Sequence, residues 1–262
     1  MSNLVTIFGG SGFLGRYIAS RMAKQGWRVR VAVRHPNEAL FVRTYGGVGQ
    51  VEPVLANIRD EESTKKAIKG AKVVINCVGI LLEGRRQKFQ TVQVQGAERI
   101  ANLSSIEGVE RLVHISAIGA DTNSKSISAR TKGEGEKSIL NAFPNTVILR
   151  PSLVFGVEDG FFNRFAAMSR MSPVLPLIGA ETFFQPVYVD DVALAASSAA
   201  IGEVSNGIYE LGGPDIETFR KLIERMLKVV RRKKLIINQP MIAAKILSYN
   251  LDMLQVISFN IF

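Results

Sequence analysis

Cysteine, histidine and long apolar runs are all scarce in this sequence. One cysteine, Cys77, occurs in 262 residues, which excludes an internal disulfide. It lies in the apolar run Val73-Val74-Ile75-Asn76-Cys77-Val78, where a buried, inert thiol is expected. The two histidines, His35 and His114, have no cysteine partners nearby and show no metal-ligand spacing, so no metal site is expected. No uninterrupted apolar stretch reaches the roughly 18 residues needed to span a bilayer. Residues 4–8 lean apolar but run straight into glycines, which is not the pattern of a secretory signal. The expected location is therefore the cytoplasm, with room for a peripheral position at the inner face of the cytoplasmic membrane. Hydrophobic residues at 47% and charged residues at 21% are ordinary for a globular chain and exclude a disordered or fibrous one.

Acidic residues are also in deficit, and unevenly. The formal net charge is +10, and residues 217–262 hold nine Lys/Arg against three acids, which is +6 of that total. A basic tail of this kind meets anionic lipid, nucleic acid or an acidic protein face, or is simply a solvated helix end. No aromatic residues interleave with the cations of residues 228–234, so base stacking is not expected and no nucleic-acid partner is predicted.

Strand and helix signals alternate over the first 150 residues. Residues 4–8 read as a buried strand ending at Gly9-Gly10. Phe13, Leu14, Tyr17, Ile18 and Met22 then repeat at helical spacing until Gly26. Strands follow at residues 28–33, 50–55, 72–78, 112–116 and 146–149, and helices at 61–69, around Phe89 to Leu103, and at 132–142. The alternation implies right-handed crossovers and a parallel sheet covered on both faces. The expected fold is α/β, a Rossmann-type doubly wound sheet (residues 1–150) with a small C-terminal α+β lobe (residues 151–262). That lobe has short apolar pieces at 174–178, 187–189 and 209–211 and an amphipathic stripe of Phe219, Leu222, Ile223, Met226, Leu227 and Val230. Residues 241–262 are apolar but carry Lys245 and Asp252; they read as a packed helix or partner-binding surface. The apolar ending at Asn260-Ile261-Phe262 reads as a truncated tail or a missing contact.

The chemistry begins at Gly9-Gly10-Ser11-Gly12-Phe13-Leu14-Gly15. Gly9 allows a tight turn, Gly12 lets a phosphate approach the backbone, and Gly15 lets helix and strand pack closely. A pyrophosphate would then sit on free N–H groups at the positive end of the helix. Such a loop is weak evidence alone, and stronger where a strand precedes it and a helix follows, as here. At the end of the second strand a carboxylate would bind the ribose 2′-hydroxyl of NAD. This sequence has Val33-Arg34-His35 instead. The Arg34 guanidinium suits a 2′-phosphate, with help from Arg16, so NADP(H) is expected over NAD(H).

The motifs Phe8-Gly9-Gly10-Ser11-Gly12-Phe13-Leu14-Gly15-Arg16, Asn76-Cys77-Val78-Gly79, His114-Ile115-Ser116-Ala117, Leu149-Arg150-Pro151-Ser152-Leu153-Val154-Phe155-Gly156 and Pro186-Val187-Tyr188-Val189-Asp190-Asp191-Val192-Ala193 resemble the atypical extended short-chain dehydrogenase/reductase family. The resemblance covers roughly residues 3–230. Within it, Gly12-Phe13-Leu14-Gly15-Arg16-Tyr17, Gly47-Val48-Gly49-Gln50 and Phe184-Gln185-Pro186-Val187-Tyr188-Val189 are similar to the dehydrogenase-like accessory subunit of respiratory complex I and its bacterial relatives. It implies a nucleotide site of Gly9, Ser11, Gly12, Phe13, Leu14, Gly15, Arg16, Arg34, Asn57, Cys77, Val78, Gly79, Ser116, Lys132, Pro151 and Val154.

Active members of that family use Tyr-x-x-x-Lys, the tyrosine as acid or base and the lysine to lower its pKa and hold the nicotinamide ribose. Here Lys132 is in place, but the tyrosine slot holds Ser128. An alkyl hydroxyl is a far weaker acid than a phenol and does not match the task near neutral pH. None of the tyrosines (17, 45, 188, 209, 249) has a lysine four residues later. Ser116, Ser128 and Lys132 therefore read as remnant catalytic slots. Three readings stay open: a non-catalytic NADP(H)-binding accessory subunit of complex I, with the nucleotide as structural ligand; an active reductase or epimerase that recruits another acid, such as Tyr188; and an NADP(H)-ratio sensor.

Overall fold

The computed structural model describes residues 3–84 and 87–239. The chain runs β1 (Leu4–Phe8), α1 (Phe13–Lys24), β2 (Arg28–Val33), a 3₁₀ segment (Pro36–Tyr45), β3 (Val51–Leu55), α2 (Glu61–Ile68), β4 (Val73–Asn76), a π-helical turn (Gln90–Val94), α3 (Gln95–Ile106) and β5 (Arg111–Ile115). It continues through α4 (Ile127–Ala142), β6 (Thr146–Pro151), β7 (Val154–Phe155), α5 (Phe162–Met171), β8 (Val174–Ile178), β9 (Phe183–Phe184) and β10 (Val187–Tyr188). It closes with α6 (Val189–Ile201), β11 (Gly207–Leu211), β12 (Glu217–Thr218), α7 (Phe219–Val229) and β13 (Leu235–Gln239).

Seven strands form one sheet in the order β11-β6-β5-β4-β1-β2-β3, and every neighbouring pair is parallel. The order reverses between β1 and β4, the switch point at which a doubly wound sheet opens a crevice beyond its strand ends. Strand side chains alternate between two cores. Val5 and Ile7 of β1 join a core with Ile18, Ala19 and Met22 of α1 and Ala193 and Ala196 of α6. Leu4 and Phe8 face a second core with Ile68, Ala97, Ile100 and Ile139 from α2, α3 and α4. Thr6, also buried, donates its hydroxyl to Ala67 O at 2.7 Å, which explains a polar residue in mid-strand.

The chain divides into two units. One holds residues up to Pro151 together with Val189–Leu211, and the other holds Ser152–Tyr188 and the residues from Gly212 on. This corrects the expected split into 1–150 and 151–262. Residues 187–189 and 209–211 read as pieces of the second lobe; in fact Val189 opens α6, and 209–211 end β11, the seventh strand. The physical reason is packing: α6 covers α1, and Arg21 fastens the two helices by Nε and Nη2 donation to Asp190 at 2.7 and 2.6 Å.

The second unit has its own aromatic core. Phe161, Phe165, Phe184 and Phe219 stack with ring centroids 5.4 to 6.3 Å apart, over Leu175, Leu177 and Ile223. The stripe expected on α7 is there, with Phe219, Leu222, Ile223, Met226 and Leu227 buried and Val230 half-buried. No helix among the described residues is long and apolar enough to cross a membrane. The expectations for residues 241–262 lie outside the described residues.

Candidate functional site

β1 ends at Phe8, and the chain must reverse at once to enter α1. Gly9 does this at φ +74°, a conformation that a Cβ resists, with its N–H donating to Ala32 O at 3.0 Å. Gly12 then stands at the N-cap of α1 and supplies no side-chain cap. The first-turn N–H groups of Phe13, Leu14 and Gly15 have no acceptor inside their helix. Gly15 brings the helix against the loop, since a Cβ there would overlap Gly9 O and lie 2.7 Å from Gly10 Cα. This is a positive, uncapped helix end that a phosphate can reach, so the local geometry fits a dinucleotide.

A groove of about 440 Å³ opens above this turn. Of the residues expected at the site, it is lined by Gly9, Ser11, Gly12, Arg34, Asn57, Cys77, Val78 and Gly79. Phe13, Leu14 and Gly15 form the helix turn behind it. Arg16 turns back on the loop. Its Nε and Nη2 donate to Gly12 O and Ser11 O at 3.3 and 3.2 Å, and its guanidinium sits 5.1 Å from the Phe41 ring centre. Ser116, Ser128, Lys132 and Pro151 are not among the groove's lining residues, and Val154 lies on β7 of the second unit. Cys77 is half-buried just past β4 rather than sealed inside the strand, although burial still pushes its thiol up to about 12.

Arg59 and Ile58 also line the groove, and sequence reading missed both. They follow β3 in a turn organised by Asn57, whose Oδ1 accepts from the Arg59 N–H at 3.1 Å and from Arg59 Nε at 3.3 Å. The Asn57 carbonyl is itself held by the Thr64 hydroxyl at 3.1 Å. The signal was available in Asn57-Ile58-Arg59-Asp60, because an Asx turn running into an Asp N-cap is legible chemistry.

Behind the groove runs a buried polar relay. The Asn76 carboxamide oxygen accepts from Val78 N–H at 3.0 Å, which leaves its NH₂ to donate to His114 Nδ1 at 3.1 Å. Nδ1 must then be unprotonated and Nε2 must carry the hydrogen. Burial pushes the His114 imidazole down to about 3, and the Lys132 charge acts in the same direction. The native state therefore refuses a proton that the unfolded chain accepts at the ordinary value of 6.5. Stability contributed by neutral His114 is full above pH 6.5 and is lost as pH falls toward 3. Equilibrium unfolding between pH 6.5 and 5 should show a slope of up to about 1.4 kcal/mol per pH unit from this one proton. His114→Gln should reduce that slope by one proton, and an unchanged slope would exclude the assignment.

Helix α4 begins at Ile127, not at 132 as read from the sequence, so Ser128 and Lys132 lie one turn apart on the same helix. The glycines at 133 and 135 masked the start. They are needed for close packing, since a Cβ on Gly133 would lie 2.6 Å from Thr122 N and one on Gly135 would overlap Gln93 O. Gln93, inside the π-helical turn, latches α4 in place: Thr131 Oγ1 donates to its Oε1 at 2.9 Å and its Nε2 donates to Ile80 O at 3.0 Å. Burial lowers the Lys132 pKa, against the opposing pull of Glu136. Glu136 is itself gripped by Arg150 Nε and Nη2 at 3.0 and 2.6 Å. Ser128 is buried, and no tyrosine replaces it among the described residues of α4. Ser116, 5% exposed, has a hydroxyl with no hydrogen-bond partner among the described residues. The Ser104 hydroxyl on α3 is likewise buried without a partner; Ser116 differs in following β5 directly, on the strand-end side where a doubly wound sheet takes its ligand. Tyr188 lies in the second unit, 40% exposed and tilted on Phe155 at 5.6 Å.

The chain is similar to NADH dehydrogenase (ubiquinone) 1 alpha subcomplex subunit 9, mitochondrial, of Arabidopsis thaliana, 36% identical over 247 residues, or 92% of this chain and 61% of the relative. It is also similar to the ceramide reductase of Caulobacter vibrioides, 30% identical over 190 residues, or 72% of this chain and 58% of that one. The chain thus spans about three-fifths of the length of these relatives. Among solved structures, Thermus thermophilus UDP-glucose 4-epimerase in complex with NAD shares the fold, with a TM-score of 0.72 at 21% identity over 90% of this chain and 86% of that one. Residues 9–146, more than half of the 262, match the model of the NAD(P)H-binding family, and the chain belongs to that family.

Proposed function

We propose that this protein holds NADP(H) as a structural ligand and serves, without turnover of its own, as an accessory subunit of respiratory complex I. The observation that carries the reading is Ser128, buried one turn before Lys132 where an active relative needs a phenol. When bound in its reduced form the nucleotide would offer a hydride, but this chain has Ser128 and no phenolic proton donor at that position. What remains is binding. The uncapped turn at Gly12 to Gly15 would hold the pyrophosphate, Arg34 the 2′-phosphate, Lys132 the nicotinamide ribose, and Ser116 the nicotinamide end. Asn57, Cys77, Val78 and Gly79 would shape the walls. A ligand held this way stabilises the fold by mass action. The similarity to the Arabidopsis subunit supports the complex I assignment. On this reading the protein is peripheral at the inner face of the cytoplasmic membrane, docked through its basic C-terminal segment.

The test is to purify the protein gently, denature it and identify the nucleotide released. NADP(H) near one equivalent, together with co-purification with complex I in mild detergent, is the expected result. An empty protein found only as a free monomer would overturn the reading. The orphaned Ser116 hydroxyl and the similarity to a reductase favour a second reading, an active reductase with another acid. NADPH oxidation against a panel of carbonyl compounds separates the two. No turnover is expected from the wild type, whereas steady turnover that falls in Tyr188→Phe would establish the enzyme.

A further inference from the structure

The second unit carries a groove that the nucleotide reading does not use. Helix α7 ends at Val229, and the chain turns through Arg231 at φ +54°. Arg231 is the one non-glycine residue among those described with a left-handed backbone. Its N–H donates to Lys228 O at 3.1 Å, and the Arg232 N–H donates to Leu227 O at 2.9 Å. Glycine or asparagine ordinarily fills this closing position because a larger side chain resists the conformation. An arginine kept there is an outlier of the sort found where a side chain is needed for something other than folding.

The groove beside this corner measures about 690 Å³. Its floor is Leu227 and Ile236, Leu235 stands at its lip, and its rim includes Lys228, Arg231, Lys233 and Lys234. Those four cations have no ion-pair partner among the described residues, and one acid, Glu224, lines the groove with them. Arg232 is different. Its Nη1 donates inward to Ala166 O and Ser169 Oγ, each at 2.8 Å, so it anchors the corner rather than serving a ligand. One or two cations would satisfy the negative end of α7; four more than meet that need. Beside them Val229 is 77% exposed and Leu235 62% exposed. Among the described residues no aromatic side chain lines the groove, which disfavours stacked bases. Cations ringing an apolar floor, with bare aliphatic side chains at the lip, complement a surface that is anionic outside and hydrocarbon beneath.

We propose that this groove seats the phosphate of an anionic phospholipid headgroup, with Val229 and Leu235 reaching toward the acyl boundary. The inference rests on the membrane-side part of the proposed function and gives it an address. The test is co-sedimentation of the full chain with vesicles of phosphatidylcholine, with and without added phosphatidylglycerol. Binding is expected on the anionic vesicles alone and should weaken with salt. Each cation near such a surface contributes about fivefold to partitioning, so Lys228→Gln, Lys233→Gln and Lys234→Gln together should lose on the order of a hundredfold. Arg231→Gly is the sharper variant. It removes one cation and relieves the left-handed strain, so binding should fall about fivefold while the unfolding temperature holds or rises. Equal binding to neutral vesicles, or a triple variant that binds like wild type, would overturn the proposal. So would displacement by millimolar inorganic phosphate, which would mark a free-phosphate site, or a preference for a single-stranded oligonucleotide. Nucleotide content is measured on the same samples. Protein that keeps NADP(H) but ignores vesicles sinks this inference alone, and protein that binds vesicles without nucleotide sinks the other alone.

Discussion

Gly15→Ala is expected to empty the nucleotide groove and to lower the unfolding temperature together. The added methyl would overlap Gly9 O and stand 2.7 Å from Gly10 Cα, and both of these are backbone atoms. A flexible side chain could swing away, but the loop cannot, because Gly9 is pinned to β2 through Ala32 O and Gly12 N–H is bonded back to Gly9 O, each at 3.0 Å. The helix must therefore withdraw from the strand. Overpacking of this kind costs about 1–3 kcal/mol, and at this chain length each kcal/mol lowers the midpoint by roughly 2–4 °C. Withdrawal also lifts the first-turn N–H groups off the phosphate position, so bound nucleotide should fall by at least about tenfold, since that is the effect of a single charge-assisted contact. Gly160→Ala is the matched control, because a Cβ there meets nothing within 4 Å. Wild-type nucleotide content in Gly15→Ala would remove the glycine turn from the binding site.

Arg34→Glu is expected to invert the choice of nucleotide. Arg34 is exposed at the end of β2, on the groove wall it shares with Arg59 and His35. A guanidinium making paired bonds to a phosphate is worth roughly 1.5–3 kcal/mol, and the substitution adds repulsion to that loss. NADP(H) affinity should drop by about two to three orders of magnitude. NAD(H) affinity should hold or improve, since a carboxylate at this place can accept from a ribose 2′-hydroxyl. Titration calorimetry with both nucleotides on stripped protein gives the ratio directly. The same NADP(H) affinity in variant and wild type would return Arg34 to the status of a solvated strand end.

The parts of the fold that could be read from sequence were those governed by short-range periodicity. β1, α1 and β2 announce themselves because Val5, Ile7, Ile18, Met22 and Val31 must alternate or recur to meet the same core. The glycine loop is legible for a related reason: its residues are adjacent in the chain as well as in space. Helix α6 was not legible, since Val189–Ile201 is small and apolar almost all round and shows no stripe. It packs this way because α1 approaches closely, a fact located more than 160 residues away in the sequence. The same holds for the relay through Asn76 and His114, which neighbour each other only because β4 and β5 pair in register. Ser128 could be placed by its spacing to Lys132, whereas the π-helical turn that fixes their helix could not, because Gln93 answers to Thr131 and Ile80 and to no local pattern.

The discontinuous sheet also has a consequence for synthesis. A ribosome delivers Pro151 about sixty residues before Leu211, and only then can β11 pair with β6 and α6 cover Ile18, Ala19 and Met22 of α1. At typical elongation rates of about 5–20 residues per second, the nascent first unit waits several seconds with an open sheet edge and a bare helix face. The nucleotide groove is already made by then, since its glycine turn and all its lining residues, as far as Val92, precede Pro151. Dinucleotide captured on the ribosome would thus hold the first half of the sheet in shape while the chain makes its detour through the second unit. A cell short of the nucleotide should accumulate this protein as chaperone-bound or degraded nascent chains, which ribosome-associated pulse labelling would show before any fall in the mature protein.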